Sequence, residues 1–133
     1  GLYTNESGVD YVMYAWTPVE GYSKFGKYEG NNDTDGPFIY CGFRPKWIMT
    51  KRCDGASSWA IVDTARDPNN DTDKTLASEL NLAESSFSAN ADFDILSNGF
   101  KIRHSTYYGY SNAADTHIFA AFAESPFKHA NAR

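Results

Sequence analysis

The chain has 133 residues, 41% hydrophobic and 16% aromatic, with 12 Lys and Arg against 17 Asp and Glu and a formal net charge of −5. That length suits one domain around one core, and the acidic balance excludes a nucleic-acid surface, which needs clustered Lys and Arg. No apolar run reaches the roughly 20 residues of a membrane-spanning helix, so no membrane insertion is expected.

The chain opens at Gly1, without the basic start or apolar stretch of a signal peptide, and a fragment of a longer protein is expected. Residues 9–16, VDYVMYAW, mix β-branched and aromatic side chains and predict the first strand, ending at Thr17-Pro18. Next comes GYSKFGKYEGNNDTDGPF, residues 21–38. Gly21, Gly26 and Gly30 predict an irregular or bulged segment, with Tyr22 and Tyr28 on one face and Phe25 on the other. Asn31, Asp33, Asp35 and Gly36 match the front half of a calcium loop, but Gly42 stands where the bidentate Glu belongs. The stretch therefore reads as a turn. No cofactor is expected, and calcium near Asn31, Asp33 and Asp35 is the one exception the pattern leaves open.

PFIYCGF (37–43) and KWIMTKR (46–52) flank Arg44-Pro45 as two further strands. If they pair across that point, Cys41 faces Ile48 and lies away from Cys53. No disulfide is then implied, and two cysteines make no metal site. SWAIVDT (58–64) reads as a strand, TARDPNNDTDKT (64–75) as a surface loop, and ASELNLAESS (77–86) as a short helical turn. DFDILSNGFKIRHS (92–105) is the clearest hairpin, with a type I′ turn expected at Asn98-Gly99 and Phe93, Ile95, Phe100 and Ile102 as its apolar face. HSTYYGYSN (104–112) sets Tyr107, Tyr108 and Tyr110 around Gly109 on a predicted loop. THIFAAFAE (116–124) reads as a last strand with Ile118, Ala120 and Phe122 on one face. Trp16, Trp47 and Trp59 fall inside strand patterns and are expected in the core. Many short strands with frequent turns and no alternating helices predict an all-β fold. The expected architecture is a single antiparallel β-sandwich, jelly-roll-like, over residues 1–133.

Catalytic patterns are missing. His104, His117 and His129 have no metal-ligand spacing, and no G-x-S-x-G occurs. Asp63, Asp67, Asp92 and Asp94 include the carboxylate pairs a glycosidase needs, but 17 acidic residues produce such pairs by chance. The chain is expected to be no enzyme. Binding residues concentrate on loops of a β scaffold, and tyrosine offers a stacking face and a hydroxyl at low entropic cost. Tyr107, Tyr108, Tyr110 and His104 are therefore the first candidates for receptor contact, with Asp71 and Asp73 on the polar loop as the second.

Five blocks in this order, GYSKFGKYEGN, DGPFIYCGFRPKWIMTKR, WAIVDTARDP, ILSNGFKIR and AAFAESPFKHANAR, carry a resemblance over residues 9–133. They resemble a domain near the C-terminal end of tail-fibre-like or structural proteins of tailed, especially marine, bacteriophages. The resemblance implies a virion appendage that acts outside the cell. Its partners would be a host-surface glycan or protein and further copies of itself, since fibre proteins are commonly homotrimers; Tyr22, Phe25 and Tyr28 are the expected subunit contact. A trimerisation or capsid-decoration module is the alternative function, and a glycan depolymerase a third.

Overall fold

The computed structural model describes residues 6–84, 92–104 and 111–125. It is all-β, with eight strands: β1 (Ser23–Glu29), β2 (Phe38–Tyr40), β3 (Pro45–Arg52), β4 (Ala60–Asp63), β5 (Leu76–Ala77), β6 (Phe93–Leu96), β7 (Gly99–Ile102) and β8 (Thr116–Ala123). A five-stranded sheet runs β1-β8-β3-β4-β5 and a three-stranded sheet β2-β7-β6, all pairings antiparallel. The two sheets face each other as a single β-sandwich. No helix of the described residues is long and apolar enough to cross a membrane.

Alternation sets the two faces of each strand. On β8, His117, Phe119, Ala121 and Ala123 point inward and are buried, as are Ile48 and Thr50 on β3 and Ala60 and Val62 on β4. From the small sheet, Phe93, Ile95, Phe100 and Ile102 point back at them. Phe100 is the keystone: its ring meets Phe119 edge-on at 5.6 Å and lies 5.9 Å from Phe93 and 6.5 Å from Tyr28. Removing such a fully buried ring costs about 3–5 kcal/mol. A bulge between Pro45 and Trp47 lets the proline, which has no amide proton to give, enter β3 without interrupting the ladder.

The hairpin at 93–102 forms as the pattern predicts, with a difference of one residue in the turn. Leu96 pairs with Gly99, so the two loop residues are Ser97 and Asn98 rather than Asn98 and Gly99. Gly99 answers a different demand. A Cβ there would stand 2.1 Å from the Ile39 carbonyl oxygen, because β2 lies directly against it. The Asn98 carbonyl then accepts the amides of Cys41 and Gly42, which ends β2 after three residues.

Other expectations are corrected. Segments 37–43 and 46–52 do not pair with each other: β2 joins β7 in the small sheet and β3 lies between β8 and β4 in the large one. Both cysteines are free, Cys41 buried and Cys53 exposed. Residues 9–16 hold no strand and stay exposed, Val12 at 81%, Met13 at 85% and Trp16 at 69%. Ile118, Ala120 and Phe122 do share a face, but it is the outer face of the large sheet, and Trp47 lies there too. Where a helical turn is expected at 77–86, Ala77 ends β5 and a turn runs through Leu80, while Glu84 has 3-10 conformation; 85 and 86 lie outside the described residues.

Candidate functional site

The outward positions of the small sheet follow from its inward ones. With Phe93, Ile95, Phe100 and Ile102 in the core, Asp94, Lys101 and Arg103 must point to solvent, and the register sets Phe38, Lys101 and Asp94 in one row across β2, β7 and β6. Phe38 and Tyr40 are exposed on the same face, at 46% and 62%. Charged groups and two aromatic rings thus share one small surface.

Two loops close on this surface from opposite sides. The 31–36 turn is held by its own side chains: Asn31 Oδ1 accepts the Asp33 amide at 3.1 Å, and Asp33 Oδ1 accepts the Asp35 amide at 2.8 Å. Those are the oxygens the half calcium pattern singled out, and here they cap backbone amides. Asp35 is left pointing out, bound by Lys101 at 2.6 Å and 3.8 Å from Arg103. The Lys101 ammonium, with Arg103 beside it, holds the Asp35 carboxyl below the usual carboxylate range. Gly36 is required where the turn meets β7, since a Cβ would come within 2.7 Å of the Ile102 carbonyl.

The 67–74 loop lies along the free edge of β6. Asn70 mimics a strand neighbour: its Oδ1 accepts the Ile95 amide at 2.9 Å and its Nδ2 donates to the Ile95 carbonyl at 3.1 Å. Thr72 and Phe93 exchange both backbone bonds, at 2.8 and 3.0 Å. Buried Asp67 accepts the amides of Asp73 and Lys74 and closes the loop. Asp71 and Asp73 are thereby set beside Asp92. Partial burial, then the Asp71 and Asp73 charges, push the Asp92 carboxyl up to about 6.

Between the two loops lies an open groove of about 610 Å³ lined by Thr34, Asp35, Asn70, Asp71, Asp94 and Arg103. Arg103 Nε donates to Asp94 Oδ2 at 2.6 Å, which raises the guanidinium further above its ordinary value and fixes its orientation. A planar guanidinium beside carboxylates presents donors and acceptors at the spacing of adjacent hydroxyl groups.

Of the residues expected to make contact, Asp71 lines this groove, and Asp73 does not line it but raises the Asp92 carboxyl through its charge. His104 follows β7 directly and is buried, its Nδ1 3.9 Å from Asp92 Oδ2, and burial lowers its proton affinity. Tyr107, Tyr108 and Tyr110 lie outside the described residues. Of the expected subunit contacts, Tyr22 and Phe25 stay at the outer surface of the large sheet, each edge-on to Phe122 at 5.8 Å. Tyr28 points inward instead, its hydroxyl donating to the Ser111 carbonyl at 2.6 Å, which leaves it no face for a neighbour. Asp63 Oδ1 accepts the Ala65 amide, as Asp67 Oδ2 accepts that of Asp73. Burial pushes the Cys41 thiol up to about 12, too high for a thiolate nucleophile at neutral pH.

Lys101 and Arg103 were not singled out from the sequence, and Asp94 only as one of four carboxylates that could form a glycosidase pair. Their signal was present, since once the hairpin's apolar positions point inward the residues between them must point outward. Asn70 and Asn112 carried none.

No curated protein and no solved structure matches the chain. The model of the family described as a domain of unknown function, DUF7483, matches residues 1–126, and the chain belongs to that family.

Proposed function

We propose that the chain is a non-catalytic attachment module of a bacteriophage tail fibre or comparable virion appendage, which binds a host-surface glycan in the groove between Asp35, Asp71 and Arg103. One observation carries the reading. Two stretches distant in sequence, the 31–36 turn and the 67–74 loop, converge on the outward charges of β6 and β7 to form one open polar groove. Sugar hydroxyls suit paired carboxylate and guanidinium groups, and the exposed ring of Phe38, in the row of Lys101 and Asp94, offers a plate beside the groove for the apolar face of a pyranose. The resemblance to fibre-like proteins supplies the setting.

The test is binding of the purified chain to an array of bacterial surface glycans and to intact cells. Saturable binding lost in Asp71→Asn and Arg103→Ala supports the proposal. Equal binding by parent and folded variants overturns the groove, and release of sugar from the bound glycan overturns the non-catalytic reading.

A further inference from the structure

The outer face of the five-stranded sheet is apolar through its middle rows. The register aligns Phe25, Ala120, Met49, Ile61 and Leu76, one residue from each strand, in a single row. Trp47 and Phe122 form the next row toward one end, and Ile118 lies toward the other. Of these, Phe25, Trp47, Met49, Ile118, Ala120 and Phe122 line, with Trp16 and Trp59, a depression of about 400 Å³. An antiparallel sheet with one face in water alternates apolar and polar residues; this one does not, and so its outer face calls for a cover.

Residues 9–16 begin to supply that cover without completing it. Trp16 stacks on Phe25 with centroids 6.3 Å apart, and Tyr14 stacks on Trp16 at 6.1 Å. The remainder of the segment leaves its large side chains bare: Val12 at 81%, Met13 at 85% and Tyr14 at 74% exposed. At about 150–250 Å² for a whole aromatic side chain, Tyr14 and Trp16 alone leave roughly 200–350 Å² uncovered. Adding Val12, Met13, Ile118 and the half-buried sheet residues carries the patch past the roughly 300–600 Å² usual on a monomer. It then approaches the order of 800 Å² that each partner gives to a standard interface.

We infer that the occupant is a second copy of this chain. Two outer faces pack against each other about a two-fold axis, and residues 9–16 of each copy lie over the sheet of the other. Such an isologous contact needs one self-complementary patch, and a flat apolar sheet face flanked by an apolar segment is one. Sheets so stacked lie about 10 Å apart with their side chains interdigitated, which fits a shallow depression rimmed by protruding tryptophans. Charge on this face gathers at its ends, Lys27, Lys51 and Glu29 toward one and Asp63 toward the other, which leaves the apolar middle rows to make the contact. The pair leaves both glycan grooves, on the opposite side of each sandwich, open.

All three tryptophans of the chain, Trp16, Trp47 and Trp59, line this depression, so intrinsic fluorescence reads the contact directly. Sedimentation equilibrium of the purified chain from about 1 to 300 µM should give twice the 14.8 kDa chain mass at the upper end. Tryptophan emission should shift to the red on dilution over the same range. Met49→Lys should weaken association at least tenfold. Trp16→Ser, in a residue outside every strand, should do the same and covers the case in which the lysine variant does not fold. Arg103→Ala, in the groove, should leave the mass unchanged. A monomer at 300 µM, a trimer, or a pair unaffected by folded Trp16→Ser would overturn the inference without touching the glycan proposal.

Discussion

Asn31 and Asn112 hold each other reciprocally across 81 residues of sequence: Asn112 Oδ1 accepts the Asn31 amide at 3.0 Å, and Asn112 Nδ2 donates to Asn31 Oδ1 at 3.1 Å. The same Nδ2 lies 2.8 Å from the Asp33 carbonyl and 2.5 Å from that of His104, and the Asn112 carbonyl accepts the Asn32 amide. One fully buried amide thus joins one wall of the groove to the end of β7.

Asn112→Ala should therefore destabilise the fold by about 3 kcal/mol, because several buried partners lose their hydrogen bonds at once. Urea unfolding is the check. A lower midpoint at unchanged slope is expected, and a loss below about 1 kcal/mol would show that the amide is not the tie described.

Gly99→Ala should be among the most damaging single-methyl changes in the chain. The new carbon meets the Ile39 carbonyl at 2.1 Å, and relief requires β2 to move off β7. A loss of about 3 kcal/mol or more is expected. Hydrogen exchange should reveal the Phe38–Tyr40 amides opening first; a variant as stable as the parent would contradict the close packing.

The pH dependence of stability divides between an acid and two bases. Asp92, held near 6 against an ordinary 3.8, weakens the fold when ionised: the penalty is complete above pH 6 and fades as pH falls toward 4. Burial lowers the proton affinity of His104 and His117 below the ordinary 6.5, so they contribute stability above that value and lose it as pH falls. Asp92→Asn should raise stability at pH 7.5 by about 1 kcal/mol, the carboxylate's remaining solvent contact moderating the effect, and leave it unchanged at pH 4. Thermal melts at the two pH values separate this from a uniform gain, which would point to another cause.

Glycan binding should respond to charge without a matching change in stability. Arg103 and Asp35 stand at the surface, so Arg103→Ala and Asp35→Asn should leave the melting temperature close to the parent's while glycan affinity falls about tenfold. Calorimetry beside a thermal melt decides it: unchanged affinity in both folded variants would remove these residues from the contact.

How far the sequence could be read depends on what each pattern reports. The 93–102 hairpin and β8 were legible because period-two alternation is short-range and both strands obey it. The direction of β8 was not, since Ile118, Ala120 and Phe122 are no less apolar than Phe119, Ala121 and Ala123, and periodicity cannot say which set meets the core. Residues 9–16 read as a strand for a related reason: β-branched and aromatic residues state a demand for burial, not which surface meets it. Asp71 was within reach through its polar loop. Asn112 was not, because its worth lies in partners 79 and 81 residues away. The same holds for Gly99, a turn residue by its neighbour Asn98 and a packing residue by its distant neighbour Ile39.

The central place of β8 carries a consequence for how the chain is made. In the large sheet it separates β1 from β3, pairing Ser23 with Phe122 on one side and Thr50 with Phe119 on the other. A ribosome releases β1 and β3 long before their common neighbour, and until then neither has that neighbour to close its ladder. The large sheet therefore assembles only after Ala123 has emerged, through contacts of long loop closure that place such β folds on the millisecond-to-second scale. During that interval the nascent chain presents open strand edges, and its yield in a cell should depend on how quickly translation delivers the last strand.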